Sequence, residues 1–400
     1  MTGQPQNPFA NLPSAGQPQL GGRSGGGGPS QDSGERRVVN RFTPLEFTGS
    51  GMQLFGIQLL NILLIAITVG IWTPWARVRK RRFFYNNTRI LDEGLDYLAS
   101  GFDIFKGWLI VTIVLLLFYA LPFLGIPFLQ EGFSVALVFV YPWALIQSLR
   151  FNARNLAWRD VRFDFRGSYF GAFWNFFLFP AIGILTLGLL IPMASRSMRD
   201  YIARNYSFGN ARFFSESALG PYYGAGFKTV LLFLSLGILM TVFFVMVVAG
   251  PAATQWIAGI MTGDLSAGTI EQLYAILLSQ SLTFAVPAML FILFVITGSY
   301  YRALTRNIML GSLRLQGGIR FRSLVSGFVL AWIMITNIFL IIISLGLLHP
   351  WTEVRRYRYL TENTEIRPIT DLNGFLDKQK RAGHSVGDAV GEAGGVEISF

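Results

Sequence analysis

The sequence predicts an all-α polytopic membrane protein built on three sequence repeats with bent or re-entrant apolar segments, plus short cytoplasmic β-strands. Three observations predict it. The 400-residue chain is 52% hydrophobic and only 14% charged, too little polar surface for the two or three domains a soluble chain of this length would form. Seven apolar runs are long enough to enter a bilayer, and none contains Asp, Glu, Lys or Arg. One motif also recurs three times.

Composition bounds the chemistry. The absence of Cys excludes disulfides, thiolate metal sites and Cys nucleophiles. The two His, His349 and His384, argue against a His-based metal site or a Ser-His-Asp triad. No cofactor, metal ligand or catalytic residue is assigned, and the chain reads as a non-enzyme. The net charge of +11 comes from 33 Lys plus Arg against 22 Asp plus Glu. With so apolar a chain, that excess suits membrane lipids as partners rather than nucleic acid.

Residues 1–38 are a Gly/Pro/Ser-rich tail centred on Gly25-Gly26-Gly27-Gly28-Pro29, expected to be disordered. It lacks a basic segment followed by an apolar one, so no cleavable signal peptide is expected. A membrane domain follows over 39–366, then a flexible cytoplasmic tail over 367–400. The apolar runs are 52–75, 108–128, 133–149, 169–193, 229–249, 282–300 and 324–351. Trp72, Trp75, Trp108, Tyr141, Trp143, Tyr300, Tyr301 and Trp351 lie near their ends, as interfacial belts require.

The repeats fall at about 41–90, 158–207 and 308–366. The first reads Phe47-Thr48-Gly49, an apolar run, then Thr68-Val69-Gly70-Ile71-Trp72-Thr73-Pro74-Trp75. The second reads Phe165-Arg166-Gly167, a run, then Thr186-Leu187-Gly188-Leu189-Leu190-Ile191-Pro192-Met193. The third reads Leu315-Gln316-Gly317, a run, then Ser344-Leu345-Gly346-Leu347-Leu348-His349-Pro350-Trp351. Asn87, Asn205 and Asn363 each follow the second Gly by 17 residues, with Arg-rich stretches between. The two Gly of a copy are 21 residues apart in the first two copies and 29 in the third.

The Phe-x-Gly element, the apolar run holding Asn61, the Thr-x-Gly-Ile-x-x-Pro-Trp segment and the Arg/Tyr/Asn stretch after it resemble the YjgN-like bacterial inner-membrane proteins. That family is a domain of unknown function, and the resemblance covers roughly residues 40–370. It implies a multi-pass protein of the cytoplasmic membrane and no particular activity. The second copy departs from the motif, with Met193 in place of Trp and Phe179-Pro180 where the others carry Asn61 and Asn337.

The basic residues suggest a topology. Seven simple crossings would put Arg196, Arg199, Arg204 and Arg212 opposite the first Arg cluster, against the positive-inside rule. If each repeat run instead enters and leaves on one face, every Lys and Arg falls on the cytoplasmic side, with both termini. Asn61 and Asn337 are then candidate bend points, or helix–helix hydrogen-bonding residues. Alternating residues at 161–165 and 312–315, and more weakly at 210–214 and 90–98, suggest short strands.

Two sets of site residues follow. Gly49, Asn61, Thr68, Gly70, Pro74, Trp75, Gly167, Gly188, Pro192, Gly317, Asn337, Gly346, Pro350 and Trp351 are the motif candidates. They shape a cavity in one reading and end the apolar runs in the other. Arg77, Arg79, Arg196, Arg199, Arg355 and Arg356 are candidate contacts for anionic phospholipid headgroups, because Arg grips phosphate through its fork; orienting the chain is the alternative role. The function expected is structural, lipid-interacting or regulatory. The alternative, a transporter or channel for a small or lipid-like solute, requires Asn61, Asn337, Thr68, Thr186 and Ser344 to share one cavity.

Overall fold

The computed structural model describes residues 41–126, 128–247, 257–263, 280–368 and 372–381. The 1–38 tail, most of the 250–281 loop and residues 382–400 lie outside them. The all-α expectation is overturned by an antiparallel sheet of eleven strands among the described residues. Its strands are β1 (Thr43–Pro44), β2 (Glu46–Phe47), β3 (Thr88–Ile90), β4 (Glu93–Tyr97), β5 (Leu156–Trp158), β6 (Val161–Phe165), β7 (Tyr206–Phe208), β8 (Ala211–Ser215), β9 (Leu313–Leu315), β10 (Ile319–Ser323) and β11 (Thr364–Arg367).

Neighbours run β1-β11-β10-β9-β8-β7-β6-β5-β4-β3-β2. Because β1 and β2 are separated by Leu45 alone, the two edges of the sheet belong to one short stretch of chain. Thr43 pairs with Ile366 on one side and Phe47 with Thr88 on the other. The sheet is thus a nearly closed ring, which leaves almost no free edge. Alternate side chains fill it: Leu95, Trp158, Val161, Phe208, Leu315, Ile319 and Ile366 are all buried in one cluster. Two-residue turns with left-handed backbone at Leu91-Asp92 and Arg159-Asp160 link β3 to β4 and β5 to β6, the twist such hairpins favour.

A helix over 372–381 contributes Leu372 and Leu376 to the same cluster. Its Gln379 Oε1 accepts the Asn210 and Ala211 amides at 2.8 and 3.1 Å. The sequence placed these residues in the C-terminal tail; their apolar spacing of four is helical, but ten residues amid polar ones carry little periodic signal.

Among the described residues, five helical hairpins rise between the β-hairpins. Three are short: α1 (Gly51–Ile67) with α2 (Thr73–Asn86); α5 (Tyr169–Phe173) and α6 (Phe179–Leu185) with α7 (Ile191–Asn205); and α10 (Gly327–Ile343) with α11 (His349–Glu362). Two are long: α3 (Gly101–Ala120) with α4 (Leu129–Arg154), and α8 (Leu219–Val247) with α9 (Gln280–Ser312). The spans Gly101–Leu124, Leu129–Arg154, Leu219–Phe244 and Ala285–Ser312 are long and apolar enough to cross a membrane. The second helix of each hairpin packs on the first helix of the next, and α11 returns to α1, so the helices also form a ring.

The feet of the hairpins are built alike. Ser50, Ser100 and Ser168 each accept a hydrogen bond from the amide three residues on, standard N-capping. At the far foot, Asn87, Asn155, Asn205 and Asn363 each donate from Nδ2 to the carbonyl four residues back. Their own carbonyls accept the amides of Thr48, Leu98, Arg166 and Leu324, closing these four feet at 2.8–3.0 Å. Entry and exit therefore lie side by side.

Two sequence assignments change. Gly317, aligned with Gly49 and Gly167, sits in the turn between β9 and β10 with φ of +105°. The residue at the equivalent foot is Val325, 21 residues before Gly346, which removes the odd 29-residue interval. Nor does the chain bend at Asn61 or Asn337, since α1 and α10 run through them unbroken. The reversal comes later, at Val69-Gly70, Leu187-Gly188 and Leu345-Gly346, each with φ near +50° and then +90°. In the second copy a π-helical turn, Trp174–Leu178, precedes Pro180.

Candidate functional site

The motif residues act first within their own hairpins. Thr68, Thr186 and Ser344 donate to the carbonyls of Leu64, Gly183 and Leu340 and accept the amides of Trp72, Leu190 and Leu348. One hydroxyl thus ties the end of the first helix to the start of the second. Asn61 and Asn337 are buried and accept from Arg79 and Arg355, each at 3.4 Å; Asn337 also donates to the Thr352 carbonyl. Of the five residues named for the transporter reading, Asn61 and Thr68 belong to the first short hairpin, Thr186 to the second, and Asn337 and Ser344 to the third.

Pro74, Pro192 and Pro350 are buried near the start of each second helix, where a missing N–H costs nothing. Trp75 packs on Gly101 of the next hairpin, and Trp351 packs on Gly51 and, at 5.1 Å between ring centres, on Phe55. These Trp join neighbouring hairpins. A Cβ at Gly49 would lie 2.6 Å from the Phe47 ring, and one at Gly167 would strike Tyr201, so both Gly permit close approach at a foot.

The headgroup candidates divide. Arg77, Arg79, Arg355 and Arg356 are exposed. Arg79 lies over the Trp72 ring at 5.3 Å, and Arg355 also reaches Thr336. Arg196 donates to the Ser217 carbonyl at 2.8 Å. Arg199 goes inward, donating to Thr305 Oγ1 at 2.7 Å.

Arg199 lies beyond one end of an apolar cleft, next to its lining residue Tyr301. The cleft, of about 790 Å³, lies between the turn after α6, α7, α8 and α9, lined by Leu187, Pro192, Phe227, Phe233, Phe294 and Tyr301 among others. Its Thr186, Thr229 and Thr297 hydroxyls are spent on carbonyls of their own helices, so the wall is apolar. At one end Tyr301 donates to Ser195 Oγ at 3.0 Å. One helical turn nearer the ring come Arg199 and Thr305. Arg306 follows, held by the Leu360 carbonyl and Thr364 and within electrostatic reach of Arg199. Neither guanidinium has a carboxylate within ion-pair distance among the described residues. Burial pushes Arg199 below its usual range, opposed by the phenols of Tyr222 and Tyr301; an Arg keeps its charge regardless. Asp200, next in sequence, is engaged by Ser215, Ser217 and Arg196.

The apolar cleft therefore ends near two half-buried positive charges. Of the motif candidates it gathers Gly188 and Pro192, with Thr186 from the set the transporter reading requires, and none of the headgroup candidates lines it. Sequence reasoning missed Ser195, Tyr301, Thr305 and Arg306. A signal existed: Thr297, Tyr301 and Thr305 make a polar stripe at the helical spacing of four along α9.

Fold and site together define a class: apolar helical hairpins, short and long in alternation, standing on a β-ring. The chain matches the bacterial protein family of unknown function DUF898 over residues 42–393 and belongs to it. It is similar to the inner membrane protein YjgN of Salmonella typhimurium, with 27% identity over 366 residues, 84% of this chain and 91% of that protein. A relative of the same name from Escherichia coli O157:H7 is 24% identical over 152 residues, 38% of each chain. No solved structure matches.

Proposed function

We propose that this chain is a multi-pass protein of the bacterial inner membrane that takes the apolar portion of a membrane lipid into the cleft beside α7. The observation that carries this is the cleft itself: an apolar trough bordered by Leu187, which is 99% exposed, with Arg199 beyond its polar end. The relatives are inner membrane proteins by name. In this reading the long hairpins cross the bilayer and the short ones dip in and return to the cytoplasmic face, where the ring, every Lys and Arg, and both termini lie.

Helix length supports the orientation. The 17 residues of α1 and α10 measure about 25 Å, short of a bilayer core of roughly 30 Å. Their turns are apolar at the tip, with Val69, Leu187 and Leu345 each at least 91% exposed, a poor surface for water and a good one for hydrocarbon.

Two experiments test the reading. Reporter fusions at residues 130 and 262 should report from outside and those at 200 and 400 from inside; an outside signal at 200 would overturn the topology. Native mass spectrometry of protein purified with its membrane lipids should show retained phospholipid. Gly298→Leu, which projects into the cleft where a Cβ meets no neighbour, should lower that occupancy; unchanged occupancy would remove the cleft from the proposal.

A further inference from the structure

A second cavity, away from the cleft, lies where β6, β7 and β8 meet the foot of the second short hairpin. It measures about 420 Å³ and is lined by Arg166, Arg204, Asn205, Ser207, Asn210 and Arg212, together with Tyr206 and Gly209. We propose that it binds a phosphate group, either free or carried on a small ester such as a lipid headgroup.

Charge is the first argument. Three guanidiniums line the cavity and no carboxylate does. Asp164, paired across the strands with Ser207, is already held by Arg154 and Arg166, each at 2.9 Å. Arg204 and Arg212 have no side-chain hydrogen bond or ion pair among the described residues and are exposed. They remain free to present their forks to an anion, the geometry that grips phosphate in pairs of parallel hydrogen bonds.

The second argument is a polar atom left over. Ser207 is only 8% exposed, and its Oγ is buried without a hydrogen-bond partner. Such a group costs about 1–3 kcal/mol unless something satisfies it, and Ser207 is one of the residues lining the Arg-ringed cavity. A phosphate oxygen accepting from Ser207, once its hydroxyl turns toward the cavity, would remove that cost.

The third argument is support. The Gly209–Asn210 turn is fixed from behind by Gln379, whose Oε1 accepts the Asn210 amide, so this wall is formed before any ligand arrives. An adjoining cavity of about 340 Å³ shares Arg204 and Asn205 and continues to Phe179 and Met193, a route by which a headgroup could keep its chain in the membrane.

The test uses the full chain in a neutral detergent and follows binding by isothermal titration. The probes are sodium phosphate, dihexanoyl phosphatidic acid and dihexanoylglycerol, with sodium chloride matching ionic strength. Phosphate and phosphatidic acid binding, weakened about tenfold or more by Arg204→Gln and by Arg212→Gln, is the expected result. Ser207→Ala should weaken it less, and Arg204→Lys should restore only part of the loss. Binding of phosphatidic acid without free phosphate, still lost in the Arg variants, identifies the headgroup as the source. No binding of either phosphate compound, or binding unchanged in the Arg variants, overturns the proposal. Both Arg are exposed, so the variants should keep the wild-type melting midpoint. Dihexanoylglycerol lacks phosphate and reports on the apolar cleft alone, through its sensitivity to Gly298→Leu.

Discussion

Single residues show how closely the parts fit. Gly101 has no room for a side chain, because the Trp75 indole occupies the space. Gly101→Val is expected to cost about 1–3 kcal/mol through overpacking, read as a lower thermal midpoint in detergent. Tyr206 makes a pH-dependent contribution: burial, with a smaller effect of Tyr85, pushes its phenol up to about 12 from 10.0. A neutral phenol favoured by the fold adds stability that is fully present below pH 10 and is lost as pH rises through about 12. Melting midpoints measured from pH 8 to 12 should fall over that window in the wild type, and Tyr206→Phe should flatten the fall.

Among the elements, the turns of the short hairpins are the parts most alike. Gly70, Gly188 and Gly346 have φ of +90°, +89° and +91°. Gly70 and Gly346 stand in open space, so Ala there would strain the backbone without a collision. Each Gly→Ala change at these two positions is expected to cost about 1–2 kcal/mol, and the two midpoint shifts should agree. A much larger effect at one turn would mean the copies are not built to one plan. The repeat itself was legible in the Thr-x-Gly…Pro spacing, but the reversal it encodes was expected nine residues earlier, at Asn61 and Asn337, because a buried polar side chain in an apolar run resembles a break point. The long hairpins escaped detection as members of the set, although Ser100 and Asn155 make the same capping bonds as Ser50 and Asn87. Their turns share none of the motif, so only two polar residues at the feet mark the kinship.

For the whole molecule, the sheet was the part least legible. Alternation did mark Val161–Phe165 and the stretch around Leu313–Leu315 as strands, but the strands are only two to five residues long and each strand's partner comes partly from a different hairpin. Nothing local announces that Phe47 and Thr88 are neighbours, or Thr43 and Ile366. The cleft was hidden for a similar reason, since Arg199 lay in a recognised cluster while Tyr301 and Thr305 lay a hundred residues further on. The ring's interior also depends on the helix over 372–381. Leu376→Ala, at 3% exposure, is expected to cost about 2–5 kcal/mol. Limited proteolysis should then cut the C-terminal segment faster than in the wild type.

The closure of the ring at Leu45 has a consequence for how the protein is made. Thr43 leaves the ribosome early, but its partner Ile366 is synthesised 323 residues later. At about 5–20 residues per second, β1 waits on the order of 20–60 s for its neighbour. During that time the helical hairpins can enter the bilayer one after another while the growing sheet keeps two open edges. The last strand to be translated is the one that seals the first, so a chain released before residue 364 would carry both edges bare, an invitation to aggregate.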